Sequence, residues 1–105
     1  MKNYKVYLSP VAEFKLQSLT EYLNAEWGEK SKQKFLNELV QSVSKIESFP
    51  ESCPKSDSFN GIFKCVVSKL TSFYYRIKND EIEIITLTDN RQNPDELLEE
   101  IRKFR

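Results

Sequence analysis

Polar and apolar residues alternate over residues 2–8, with Tyr4, Val6 and Leu8 on one side and Lys5 and Tyr7 on the other. A period of two sends successive side chains to opposite faces, so this segment is read as a half-buried strand. The period changes at Ser9-Pro10. Serine there suits an N-cap, and proline suits the first helical position, where its missing N–H costs nothing. Ala12, Leu16, Leu19, Leu23 and Trp27 then recur at helical spacing as one apolar stripe, and all five, Trp27 included, are expected in the core. Gly28 supplies the stop. A second helix is expected from Ser31, burying Phe35, Leu39, Val43 and Ile46, flanked by Leu36, Val40 and Phe49, and ended by Pro50. Two helices joined by about three residues must run antiparallel as a hairpin.

Residues 50–61 carry Pro50, Ser52, Pro54, Ser56, Ser58, Asn60 and Gly61 and read as an irregular connection without a pattern of its own. Beyond it, residues 62–68 and 70–78 are rich in β-branched and aromatic side chains, and residues 81–88 alternate around Ile82, Ile84 and Leu87. Asn79-Asp80 is a tight hairpin turn, and a second reversal is expected within residues 68–72. Asn93-Pro94-Asp95-Glu96 is a capping box that opens a last helix through Leu97, Leu98, Ile101 and Phe104. The order β-α-α-β-β-β-α predicts an α+β fold. Its three consecutive strands form an antiparallel meander packed on the helical hairpin. A two-helix crossover allows the first strand either edge or a central slot.

Composition narrows the chemistry. At 105 residues, 39% hydrophobic and 30% charged, the chain is expected to form one soluble domain spanning residues 1–105. Sixteen Lys and Arg balance sixteen Asp and Glu, which argues against a general nucleic-acid binder; no sequence-specific DNA binding is expected from this chain alone. There is no His, which removes triads and metal sites built on imidazole. Two glycines, Gly28 and Gly61, are too few for a phosphate loop or a dinucleotide fingerprint. No cofactor and no metal are expected. Cys53 and Cys65 lie twelve residues apart without a second pair. Spacing permits a bridge between them, but two thiols without an export signal are expected to stay reduced in the cytoplasm. No apolar run approaches the ~20 residues of a membrane span.

Four segments together resemble the RelE/ParE superfamily of toxins from type II toxin–antitoxin modules. They are Leu8-Ser9-Pro10-Val11-Ala12, Ile46-Glu47-Ser48-Phe49-Pro50, Phe73-Tyr74-Tyr75-Arg76-Ile77 and Asp89-Asn90-Arg91-Gln92-Asn93-Pro94. The resemblance covers Tyr4 to about Leu98. It implies growth inhibition, plasmid stabilisation, and a small cognate antitoxin that holds the toxin inactive. It also implies a choice of target. RelE-like members cut messenger RNA on the ribosome, whereas ParE-like members poison DNA gyrase.

Cleaving RNA through its 2′-hydroxyl requires a base, an acid and cations for the charge developing on phosphorus. RelE-like toxins supply these from a basic cluster on the sheet and a C-terminal tyrosine. Here Arg91 matches the arginine after the last strand, but Val67 stands where an arginine is expected and Leu97 where the tyrosine falls. Gyrase is therefore the preferred target. A ribosome-dependent endoribonuclease is the alternative, and a non-toxic relative that keeps only antitoxin binding is the third reading.

Charge by segment gives +1 for residues 1–50 (seven bases, six acids), +3 for residues 51–78 (five and two) and −4 for residues 79–105 (four and eight). The basic patch comprises Lys55, Lys64, Lys69, Arg76 and Lys78. It could neutralise only a few phosphates and suits an acidic partner better than free RNA. Candidate target-binding residues are Arg91, Lys64, Arg76 and Tyr74. Each has a structural reading beside the functional one. Arg91 could cap strand-end carbonyls, Lys64 could be a solvated strand residue, and Arg76 could pair across strands with Glu81 or Glu83. The run Phe73-Tyr74-Tyr75 is expected to expose at least one aromatic, with Tyr74 on the open face, facing an antitoxin pocket or a base. Cys65 is expected in the strand core.

Overall fold

The computed structural model describes residues 4–57, 59–68 and 71–89. The expected last helix, Arg91, Leu97 and Lys69 lie outside the described residues. Strand β1 (Lys5–Leu8) leads into helix α1 (Pro10–Trp27) and helix α2 (Glu29–Ser48), followed by β2 (Phe63–Val66), β3 (Thr71–Lys78) and β4 (Glu81–Asp89). The sheet order is β1-β4-β3-β2. The meander is antiparallel, and β1 joins it at the edge as a parallel neighbour of β4. This is the α+β arrangement expected from the pattern, with the position of β1 now settled.

Ser9 explains how β1 reaches that position. Its N–H donates to the Ile84 carbonyl at 2.9 Å, its hydroxyl donates to the Ile85 carbonyl at 2.6 Å, and the same Oγ accepts from the Ala12 N–H at 3.1 Å. One buried side chain thus caps α1 and ties the strand-to-helix corner to β4. At the other end of α1 the chain reverses at Gly28 alone, not over three residues. Gly28 adopts φ 91°, and its N–H closes α1 on the carbonyls of Leu23 and Asn24. Positive φ makes a one-residue reversal possible, which is why α2 begins at Glu29 and not at Ser31.

The helical hairpin covers one face of the sheet. Ala12, Phe35, Leu39 and Ile46 meet Phe63, Cys65, Phe73, Tyr75, Ile82, Ile84 and Leu87 there. Each large apolar side chain so buried contributes roughly 1.5–3 kcal/mol. Phe63 stacks on Tyr75 with ring centroids 5.1 Å apart, and the Tyr75 hydroxyl donates to the Pro50 carbonyl at 2.7 Å. That bond satisfies a buried phenol and anchors the chain leaving α2.

Trp27 departs from expectation: it is 69% exposed. The part of α1 that packs on the core ends at Leu23, and the last turn carries Trp27 past it. Val40 and Phe49, expected as flanking residues, are also exposed. The connection after α2 is more ordered than its composition suggests. Lys55 bridges Phe63, the Ser56 N–H donates to the Ile62 carbonyl at 2.7 Å, and the Lys64 N–H donates to the Pro54 carbonyl at 2.9 Å. The connection therefore runs antiparallel beside β2 and covers part of that edge.

Candidate target-binding face

The face of the sheet turned away from the helices follows from strand alternation. Phe63 and Cys65 of β2 point to the helices, which leaves Lys64 and Val66 exposed on the other side. On β3, Phe73 and Tyr75 enter the helix-side core, so Tyr74 and Arg76 face away. The register then brings the candidates together, with Lys64 opposite Tyr74 and Arg76 opposite Glu83. Three of the four candidate residues thus share one surface. Arg91 lies outside the described residues.

Each of the three has a specific environment. The Lys64 ammonium sits 5.9 Å from the centroid of the Tyr74 ring, within cation–π range. The Arg76 Nε donates to Glu83 Oε1 at 2.7 Å, with side chains 28% and 11% exposed. This is the cross-strand pair foreseen for Arg76, made with Glu83. Two opposite charges this close largely cancel for a distant ligand and hold each other in a fixed geometry.

Tyr74 corrects another expectation. It is only 7% exposed, and Phe73 and Tyr75 are fully buried, so none of the three aromatics is left open. The alternation argument assumed a bare outer face. Instead Tyr74 packs with Phe59, Ile62 and Ile85 in a second apolar cluster. Ile85 reaches that cluster because the β3–β4 register slips by one residue: Tyr75 faces Ile84 while Tyr74 faces Thr86. The slip is a β-bulge, which re-aims a side chain at the cost of one ladder position. Sequence reading missed Phe59 and Ile62 as contributors. Their signal was two apolar residues flanking Asn60-Gly61 in a stretch otherwise rich in Ser and Pro.

Titration describes the chemistry this arrangement permits. The Tyr7 phenol is raised above its ordinary value by partial desolvation, then by the carboxylates of Glu83 and Glu81, against a smaller opposing effect of Arg76. A phenol held protonated is a hydrogen-bond donor, not a base, at neutral pH. Burial likewise raises Cys65 and Tyr75. Among the described residues no group of three or more metal-binding side chains could hold an ion. No helix there is long and apolar enough to cross a membrane.

The fold that carries this face occurs in known proteins. In the solved chromosomal ParDE toxin–antitoxin system from Pseudomonas aeruginosa, one chain is similar at TM-score 0.70 with 15% identity, over 82% of this chain and 95% of that one. A mutant of the Escherichia coli toxin RelE in its free state is similar at TM-score 0.65 with 11% identity, over 98% and 99%. A copper-bound mutant toxin from Helicobacter pylori is similar at TM-score 0.52 with 22% identity, over 83% and 94%. At these identities the likeness is one of fold. No curated protein sequence matches the chain. The family model of the ParE toxin of the type II toxin–antitoxin system parDE matches residues 6–94. That match runs from β1 past the end of β4 and takes in Ser9, the hairpin and the whole outer face. The chain therefore belongs to the ParE toxin family, the toxins of type II toxin–antitoxin modules.

Proposed function

We propose that this toxin arrests growth by binding DNA gyrase through the outer face of its sheet, and that a small cognate antitoxin keeps it inactive in the cytoplasm. The observation that carries the reading is the Arg76–Glu83 pair at 2.7 Å. A phosphoryl transition state needs cations whose charge is free to meet it. On this face one arginine already faces a carboxylate, Glu81 adds a second acid, and Tyr7 holds its proton. With Val67 and Leu97 at positions where RNA-cleaving relatives are expected to carry arginine and tyrosine, the face suits recognition better than catalysis. Binding needs only shape and a few anchors. Lys64 over Tyr74 supplies one and Arg76 a second, and Arg91 is the further contact that the sequence motif suggests.

The test is a pair of assays on toxin freed from its antitoxin. Supercoiling by purified gyrase should be inhibited, and messenger RNA on programmed ribosomes should stay intact. Codon-phased RNA cleavage with supercoiling untouched would assign the chain to ribosome-dependent nuclease action. Growth without arrest on expression would mark a non-toxic relative that retains antitoxin binding. Arg91→Ala is expected to relieve growth arrest while the melting temperature stays within a few degrees.

A further inference from the structure

Cys53 and Cys65 have no role in the outer face. Both are free, both are buried, and both belong to the helix-side core. Their placement is specific. The isolated Lys55–Phe63 bridge is antiparallel, so the same direction of travel carries residue 53 towards residue 65. The backbone bonds fall at Ser56 with Ile62 and at Lys64 with Pro54. That alternation makes 55 with 63 a non-hydrogen-bonded pair, and continued by two residues it would make 53 and 65 the next such pair. Such pairs have Cα atoms about 4.5 Å apart, inside the roughly 4.4–6.8 Å that a disulfide spans. The Cys53 thiol lies near enough to raise both the Cys65 thiol and the Tyr75 phenol.

We propose that Cys53 and Cys65 are a closable dithiol, which a low-molecular-weight disulfide such as oxidised glutathione converts to an intramolecular disulfide that fastens the 50–57 connection to β2. The exchange balances in two steps. One protein thiolate attacks a sulfur of the reagent, breaking its S–S bond, and the departing small thiolate takes the proton that the protein thiol gave up. The second protein thiol then attacks the mixed disulfide, forms the Cys53–Cys65 bond and expels the second small thiol. The protein loses two hydrogens and two electrons, and the reagent is reduced to two thiols.

The environment sets the order and the pace. Burial, and after it the neighbouring Cys53 thiol, push Cys65 up to about 12, so it stays protonated and is a poor first nucleophile. Cys53 follows Pro50, Glu51 and Ser52, which line an open cleft with Tyr4, Ser48, Phe49 and Ile77. First attack is therefore assigned to Cys53, on the connection beside that cleft, and Cys65 resolves the adduct. The closed loop removes freedom from the unfolded chain and leaves the native register in place.

The test uses the full purified chain treated with oxidised glutathione at mildly alkaline pH. Intact mass should fall by two hydrogens with no retained adduct, a peptide map should join Cys53 to Cys65, and the melting temperature should rise by several degrees. Dithiothreitol should reverse all three changes. Cys65→Ser should instead trap glutathione on Cys53. Two thiols still free after treatment in sub-denaturing urea, a persistent adduct on the unmutated chain, or covalent dimers in place of the internal bond would overturn the proposal.

Discussion

The two faces of the sheet are built on opposite terms. The helix side is a continuous apolar layer in which Phe73, Tyr75, Ile82 and Ile84 are at most 2% exposed, and its polar groups serve to anchor chain: Ser9 to β4, Tyr75 to Pro50. Among the described residues, the outer side has a four-residue apolar cluster of Phe59, Ile62, Tyr74 and Ile85, bordered by charges held in place by one another or by an aromatic ring. On the first face apolar residues of similar volume should exchange at little cost, whereas lost volume is costly. The second depends on named pairs. A change on the helix side should therefore be read in stability, and a change on the outer side in recognition.

The largest expected effect lies on the helix side. Ile46 is fully buried, so Ile46→Ala should cost about 2–5 kcal/mol in chemical denaturation through lost transfer energy and the cavity left behind. A loss below ~1 kcal/mol would mean that the hairpin does not pack as described. Ser9→Ala comes next, at about 1–2 kcal/mol, because it removes both the α1 cap and the tie to the Ile85 carbonyl.

Arg76 is where the contrast could fail. Glu83 is only 9% exposed, so Arg76→Ala strands a nearly buried carboxylate and should cost about 1–3 kcal/mol, less than for a fully buried pair because the arginine is partly solvated. Replacing both residues with apolar ones should recover most of that loss. Toxicity lost in the single variant but restored in the double one would assign Arg76 to structure; loss in both, with stability restored, assigns it to the target.

Alkaline pH should separate the faces further. Cys65 is raised from 9.0 to about 12, and Tyr75 is raised from 10.0 by burial first and then by its cysteine neighbours. The folded state holds these protons more tightly than the unfolded chain does. Their contribution is whole below pH 9.0 and is lost as pH rises towards about 12. Denaturation midpoints should hold steady from neutrality to about pH 9 and then fall. Removing both thiols should flatten the early part of that fall.

What sequence could and could not foretell divides along similar lines. Ser9-Pro10, Gly28 and Asn79-Asp80 were readable because each constrains its own backbone; Asn79 does adopt φ 58° in the β3–β4 turn. The inner stripe was readable because period alone fixes it. The parallel seat of β1 was not, since it depends on hydrogen bonds between residues about 75 positions apart in sequence. Trp27 was misplaced because helical spacing says which face a residue takes but not how far the covering layer extends. Tyr74 was misplaced because the bulge at Ile85 and the return of residues 59–62 are tertiary features. Of the candidate site, the Arg76 pair was foreseen by alternation, whereas Lys64 over Tyr74 follows only from register.

The smallest expected effect on stability carries the most information about function. Lys64 is exposed, and Lys64→Ala should change folding by less than ~0.5 kcal/mol. The central claim, that the outer face is the gyrase-binding face, is tested most directly by measuring the affinity of purified gyrase for the unmutated toxin and for Lys64→Glu. The account predicts that charge reversal weakens binding at least tenfold, about 1.4 kcal/mol, with the melting temperature unchanged. Equal affinity of the two proteins would contradict it.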